Sequence, residues 1–259
     1  MKSSLYYLSL LLAFLFSCQG NARKESNAEN HTCNLAGHFV NKTALDKAQG
    51  GYGNEVDVTN YYALEISFST KDSIEINNGF EKFSLAYSKT EKDCNFRIIK
   101  ATQLGDMYFE ALHDSLIILI DTAWTKLSSP STFKRARKDG QDNWDYAYHL
   151  NDAVISGRYT FTNSEGRPKQ AQFLANGQVS GLKPYLSYEL CYAGDCLEET
   201  KSPANTILFT DDTGAKTLFT IEKSDAGEIK FYSVSEPKAD IKGEREIGAM
   251  AFLIRKEPN

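Results

Sequence analysis

The chain has 259 residues, with 29 Lys and Arg against 34 Asp and Glu, a formal net charge of −5 with His neutral, and 41% hydrophobic residues. So acidic a chain is not a general nucleic-acid binder, because such binding rests on an excess of Lys and Arg that neutralises phosphates. It is long enough for one large β domain or two small ones, and either can bury a proper core.

At the N-terminus, one positive charge at Lys2 precedes an apolar run from Leu5 to Phe16 that is interrupted by Ser9. At about 12 residues the run would reach ~18 Å as a helix, short of the ~30 Å hydrocarbon core, so it reads as the h-region of an export signal. It leads into Leu15-Phe16-Ser17-Cys18, which resembles the lipobox of bacterial lipoproteins. The resemblance implies cleavage before Cys18 and a diacylglycerol on its sulfur. An ordinary secretory signal cleaved nearby is the other reading. Residues 1–17 are then a signal peptide, the polar stretch 18–32 a lipidated tether, and the cell envelope, at its outer membrane, the location. Each buried CH₂ of the acyl chains contributes about 0.8 kcal/mol to anchoring, and one chain alone is marginal. Removing residues 1–17 deletes Lys2 and no acid, which leaves 28 bases against 34 acids, a net charge of −6.

Four of the five cysteines remain after Cys18, at 33, 94, 191 and 196. An even count in an oxidising compartment favours disulfides over thiol chemistry. Cys191 and Cys196 flank Tyr192-Ala193-Gly194-Asp195 in what reads as a hairpin, which would set them opposite each other near the ~5.5 Å Cα separation of a disulfide. Cys33 with Cys94 is then the remaining pair. Zinc is the alternative, but no CxxC or HxxxH spacing supports it.

Beyond residue 60 strand signals dominate and helix signals are nearly absent. Tyr62, Leu64, Ile66 and Phe68 alternate with Ala63, Glu65, Ser67 and Ser69, the period of a strand with one buried face. The same alternation appears in Ile155, Gly157, Tyr159 and Phe161, and in Leu186, Tyr188 and Leu190. Shorter β segments are predicted near 206–210, 216–222, 228–234 and 249–255. Asn78-Gly79, Asn176-Gly177, Thr213-Gly214 and Ala226-Gly227 stand between segments as hairpin turns. The fold predicted is all-β, an antiparallel meander with no strand-helix alternation of the parallel kind. Closing it into a barrel would remove exposed sheet edges.

Leu35-Ala36-Gly37-His38-Phe39 echoes Ile155-Ser156-Gly157-Arg158-Tyr159 at an offset of 120 residues. Two tandem β domains are therefore preferred over one large barrel or sandwich. The N-terminal domain is placed at 33–121, a linker rich in serine and charge around Pro130 at 122–152, and the C-terminal domain at 153–259. A glycine followed one residue later by an aromatic at the head of the first strand, then an eight-strand meander, resembles the lipocalin-like or calycin barrels common among Bacteroidetes lipoproteins. The resemblance covers 154–255 best, with Gly157-Arg158-Tyr159 and Gly37-His38-Phe39 where that family carries Gly-x-Trp. It implies eight-stranded barrels, each filled by its own side chains or holding one small ligand.

Motifs for chemistry are sparse. His31, His38, His113 and His149 stand singly, with none at metal-ligand spacing, so no metal or cofactor is predicted. Gly177-Gln178-Val179-Ser180-Gly181 misplaces the serine of a nucleophile elbow. Ser180 to Lys183 and Ser131 to Lys134 fit Ser-x-x-Lys without its companion motifs, and no enzyme is predicted. Asp211-Asp212-Thr213-Gly214 is explained as turn chemistry. Lys134-Arg135-Ala136-Arg137-Lys138, flanked by Trp124, Phe133 and Trp144, is the one basic run. It reads as a solvated charge run or as a site for an anionic headgroup, a phosphorylated glycan or an acidic partner. Asp72-Ser73-Ile74, Asp114-Ser115-Leu116 and Asp121-Thr122-Ala123 resemble the O-glycosylation acceptor motif of exported Bacteroidetes proteins. Two functions follow as expectations. In the first, the anchored barrel binds a small apolar or amphipathic ligand or a glycan, and Tyr159, Tyr188, Phe219, Phe231 and Phe252 line its cavity. In the second, filled barrels make an accessory lipoprotein that docks on an envelope protein complex.

Overall fold

A computed structural model describes residues 33–51, 60–68, 71–103, 105–113, 115–136, 145–162, 165–192, 206–224, 227–235 and 246–258. The segments 1–17 and 18–32, with Cys18, lie outside the described residues.

The chain forms two tandem antiparallel β-barrels, as the alternating pattern demands. In the first, β1 (Gly37–Asn41), β2 (Glu65–Phe68), β3 (Ser73–Asn77), β4 (Lys82–Lys89), β5 (Asn95–Thr102), β6 (Gly105–His113), β7 (Leu116–Ile120) and β8 (Ser131–Arg135) run up and down, and β8 closes onto β1. In the second, β9 (Gly157–Thr162), β10 (Pro168–Phe173), β11 (Val179–Ser180), β12 (Tyr185–Cys191), β13 (Thr206–Asp211), β14 (Lys216–Lys223), β15 (Glu228–Val234) and β16 (Ile247–Lys256) do the same, with β16 returning to β9. The two ends of that second sheet meet at a bridge between Gln178 and Ser187, where the Tyr188 amide donates to the Gly177 carbonyl at 2.7 Å.

Two short helices join the barrels, and their caps are in the sequence. α1 (Lys42–Gly51) starts after Asn41, whose Oδ1 accepts from the Ala44 amide at 2.9 Å while its Nδ2 donates to the Ala63 carbonyl at 2.8 Å. α2 (Tyr146–Val154) starts after Asp145, which accepts from the Tyr148 amide. Glu65 of the first barrel accepts from the Tyr146 amide at 2.6 Å, so a second carboxylate meets the positive end of the α2 dipole. Ala44, Leu45 and Ala48 of α1, and Tyr146, Leu150 and Val154 of α2, belong to the same buried cluster as the interior of the second barrel. Both barrels lie in the one unit that spans Cys33–Asn259.

The echo between the halves marks equivalent positions. Gly37 opens β1 at φ +120° and Gly157 opens β9 at φ +145°, a region that disfavours any residue with a Cβ. Phe39, two residues on, is paired in register with Arg135 at the end of β8, and Tyr159 with Lys256 at the end of β16. A Cβ on Gly37 would fall 2.6 Å from the Arg135 guanidinium, and one on Gly157 would fall 3.1 Å from the Lys256 side chain.

Two expectations are revised. The segment 122–152 is not a linker throughout, because β8 and most of α2 fall in it and are buried on one side. Leu186, placed on the inward face by its alternation, is 57% exposed, because a register shift between Tyr185 and Ser187 turns it outward.

Candidate functional site at the mouth of the first barrel

The five aromatics singled out by the sequence do meet inside the second barrel, and there they touch rings. Tyr159 and Tyr188 both pack edge-on against Phe173, with centroids at 5.5 and 5.2 Å. Phe219 meets Phe209 at 5.7 Å and Phe252 at 5.5 Å, and Phe231 stacks on Phe252 at 4.3 Å. The Tyr159 hydroxyl donates to the Ile155 carbonyl at 2.8 Å and that of Tyr188 to the Leu174 carbonyl at 2.7 Å. Burial pushes the Tyr159 phenol up to about 12, and it also raises that of Tyr188. The faces and hydroxyls a ligand would use are taken by neighbouring rings and backbone.

The first barrel is filled on the same principle, by Phe39, Phe68, Tyr87, Phe96 and Phe109 in mutual contact. Its mouth differs. At the end where the connections after β1, β3, β5 and β7 gather, a cleft of ≈ 590 Å³ opens to solvent. Its lining combines the aromatic Tyr61, Tyr62, Phe83 and Trp124 with the polar Asn78, Glu81, Lys100, Thr102, Gln103 and Thr125. Ligand sites favour such barrel mouths, and the volume falls within the ~300–1,000 Å³ usual for them.

Each wall of the cleft has a local cause. Ile98 pairs with Met107 and Thr102 with Gly105, so Ile99, Lys100 and Ala101 bulge out of β5 opposite Asp106 alone. Lys100 takes the left-handed conformation at φ 51°, costly for a residue with a Cβ, and the Asp106 carboxylate accepts its amide at 2.8 Å. The Ala101 carbonyl, turned by the bulge, accepts the Tyr62 hydroxyl, and the Tyr62 ring packs edge-on to Phe83 at 6.2 Å. Burial pushes the Tyr62 phenol up to about 12. Asn78 Oδ1 accepts the Phe80 and Glu81 amides at 2.9 Å each and fixes the β3–β4 turn. Asp121 builds the last wall, its carbonyl accepting the Trp124 amide at 2.8 Å and the Thr125 amide at 3.0 Å. Its fully buried carboxylate accepts from the Ser131 amide at 3.0 Å and hydroxyl at 2.6 Å. Desolvation holds that carboxyl above the ordinary aspartate range, against those two bonds.

Other sequence candidates are dispersed. Lys134 and Arg135 of the basic run end β8: Phe133 and Ala136 beside them are buried, and Arg135 lies 4.6 Å above the Phe39 ring. The Arg135 guanidinium also donates to the carbonyls of Asn34 and Ala36. Arg137, Lys138 and Trp144 lie outside the described residues. Cys33 and Cys94 form a disulfide with a Cα separation of 5.6 Å. Cys191 is buried at the end of β12, in register with Thr206, while Cys196 lies outside the described residues. Ser131 of one Ser-x-x-Lys match is buried and bound to Asp121. Ser180 of the other lines a polar groove of ≈ 250 Å³ on the outside of the second barrel, with Arg158, Gln172 and Glu257. Asp211 accepts from the Thr213 and Ala215 amides, the turn role expected of it. Of the acceptor-like motifs, Ser73 is half-buried on β3 and Asp121 is internal. Among the described residues no group of three or more His, Cys, Asp or Glu is placed to hold a metal ion.

Lys100, Glu81 and Phe83 carry no motif, and their convergence depends on closing the barrel. Comparison of the chain with family models, with curated proteins and with solved structures returned no match.

Proposed function

We propose that this protein is a membrane-anchored envelope lipoprotein of lipocalin-like build whose first barrel holds a ligand at its mouth. The observation that carries the binding role is the cleft itself, where a strained bulge, a buried carboxylate and a polar turn hold aromatic and polar groups around an open volume. The Cys33–Cys94 disulfide supports an oxidising compartment, and the h-region ahead of Cys18 supports export and lipidation. Cys94 lies in the β4–β5 connection, at the barrel end opposite the mouth, so the chain enters the fold on the far side from the cleft. The 14 residues between Cys18 and Cys33 supply the tether between anchor and fold.

The accessory reading has its own support at the other barrel: Ile247 and Met250 of β16 stand 51% and 52% exposed, an apolar strip suited to an envelope protein partner. Two measurements test the proposal. Cys18→Ala should move the protein from the membrane to the soluble fraction, and a variant that stays in the membrane would refute the anchor. Native mass spectrometry of gently extracted protein should show a retained small molecule that Lys100→Ala weakens. Bare protein together with a co-extracted envelope protein would refute a tightly held ligand and favour docking.

A further inference from the structure

Resting on the reading that the mouth of the first barrel is a binding site, we infer that its ligand is a short neutral oligosaccharide. The lining of the cleft combines aromatic rings with polar side chains, which matches a pyranose ring, whose C–H face packs on rings and whose edge carries hydroxyls. Tyr62, Phe83 and Trp124 offer ring surface on which the C–H face can pack. The rim offers both kinds of hydrogen-bonding group, donors on Lys100 and Gln103 and acceptors on Glu81 and Gln103. Sugar hydroxyls, each donor and acceptor at once, can satisfy both kinds, while a phosphate or carboxylate can satisfy only donors.

Charge points the same way, because one Lys and one Glu face the cleft and cancel, leaving no field to select an anion. An apolar ligand would strip water from the rim amides and charges without replacing their hydrogen bonds. It would also gain little from an open cleft, since ligands of that kind bury about 70–90% of their surface. A saccharide loses nothing by leaving its outer hydroxyls in water. The bulge at Ile99 to Ala101 also gains a purpose, because regular pairing of β5 would draw Lys100 back into the sheet.

The chain has two tryptophans, so Trp144→Phe leaves Trp124 as the sole indole reporter inside the cleft. The disulfide-bonded mature chain carrying that change would be titrated with neutral tetrasaccharides of the gluco, galacto, manno, xylo and N-acetylglucosamine series. N-phenyl-1-naphthylamine would be titrated in parallel as a neutral apolar probe. At least one tetrasaccharide should shift Trp124 emission at millimolar concentration or below. Lys100→Ala and Gln103→Ala, both at exposed rim positions, should weaken it about tenfold, while Lys169→Ala on the second barrel should not. If only the apolar probe binds, and Lys100→Ala alters it, the mouth is a site but the saccharide assignment is overturned. If neither kind of probe moves Trp124, the assignment and the reading beneath it both fall.

Discussion

Phe209→Ala is the sharpest test of the claim that the second barrel is filled. Phe209 is fully buried on β13, and its ring meets those of Tyr185 at 4.8 Å, Phe219 at 5.7 Å, Phe231 at 5.9 Å and Phe173 at 6.2 Å. Removing the phenyl leaves about 100 Å³ ringed by aromatics too rigid to collapse far, and at ~24 cal/mol per Å³ that cavity costs about 2.4 kcal/mol. Loss of the transfer free energy adds about 2 kcal/mol, for a total of ~4 kcal/mol. Urea unfolding followed by near-ultraviolet circular dichroism should show a midpoint lower by about 1–2 M, for a slope near 3 kcal/mol/M. The variant should also bind xenon, as an engineered apolar cavity of about 150 Å³ does. A loss below about 1 kcal/mol would mean that the neighbouring rings do not grip Phe209. The interior bounded by Tyr159, Tyr188, Phe219, Phe231 and Phe252 would then return as the ligand chamber.

Replacing Cys33 and Cys94 together by Ser opens a bridge across a sequence separation of 61 residues, and the chain-entropy model assigns it ~4 kcal/mol. A urea midpoint unmoved by this change, or by reductant on the native protein, would show that the N-terminal segment is not held there. Asp121→Asn tests the buried carboxyl through pH. Because its folded pKa stands above the unfolded value, the folded state binds more protons between the two, and stability falls as pH rises through that window. The amide keeps an acceptor for the Ser131 amide and presents a donor to its hydroxyl without the charge. Its thermal midpoint should therefore exceed that of the native protein at pH 7, with the advantage shrinking as pH falls through that window toward the ordinary aspartate value of 3.8. An advantage equal at pH 3.5 and pH 7 would refute the desolvation argument.

Sequence reading succeeded where one face of a strand stays inward and a turn needs a particular backbone. β15 coincides with the predicted 228–234, and Gly79, Gly177 and Gly214 take positive φ in the turns assigned to them. It failed where local pattern and tertiary role part company. β8 was hidden in an apparent linker because its inward positions are Ser131 and Phe133, and the serine is tolerable inside only with Asp121 to receive its hydroxyl. α2 was missed although Asp145 and the apolar spacing of Tyr146, Leu150 and Val154 are helical signals, since nine residues give them little weight. The mouth was illegible for a different reason. Its residues come from four connections between Tyr61 and Thr125, and nothing in one window of sequence marks Glu81, Lys100 and Trp124 as neighbours.

The five-residue echo, slight as sequence, identifies a device built twice. In each barrel a glycine at positive φ makes room for a basic side chain from the last strand, which reaches across the closing seam beside the aromatic two residues on. Three equivalences at offsets of 120, 120 and 121 residues (Gly37 with Gly157, Phe39 with Tyr159, Arg135 with Lys256) are what duplication of one barrel would leave. The two barrels differ away from the closing seam. The first barrel ends in a bulged, polar rim around Lys100, while the second carries Phe209, Phe219, Phe231 and Phe252 packed ring to ring. Closure is thus the shared property and the rim the variable one, so the function of this chain is to be sought in the loops of the first barrel.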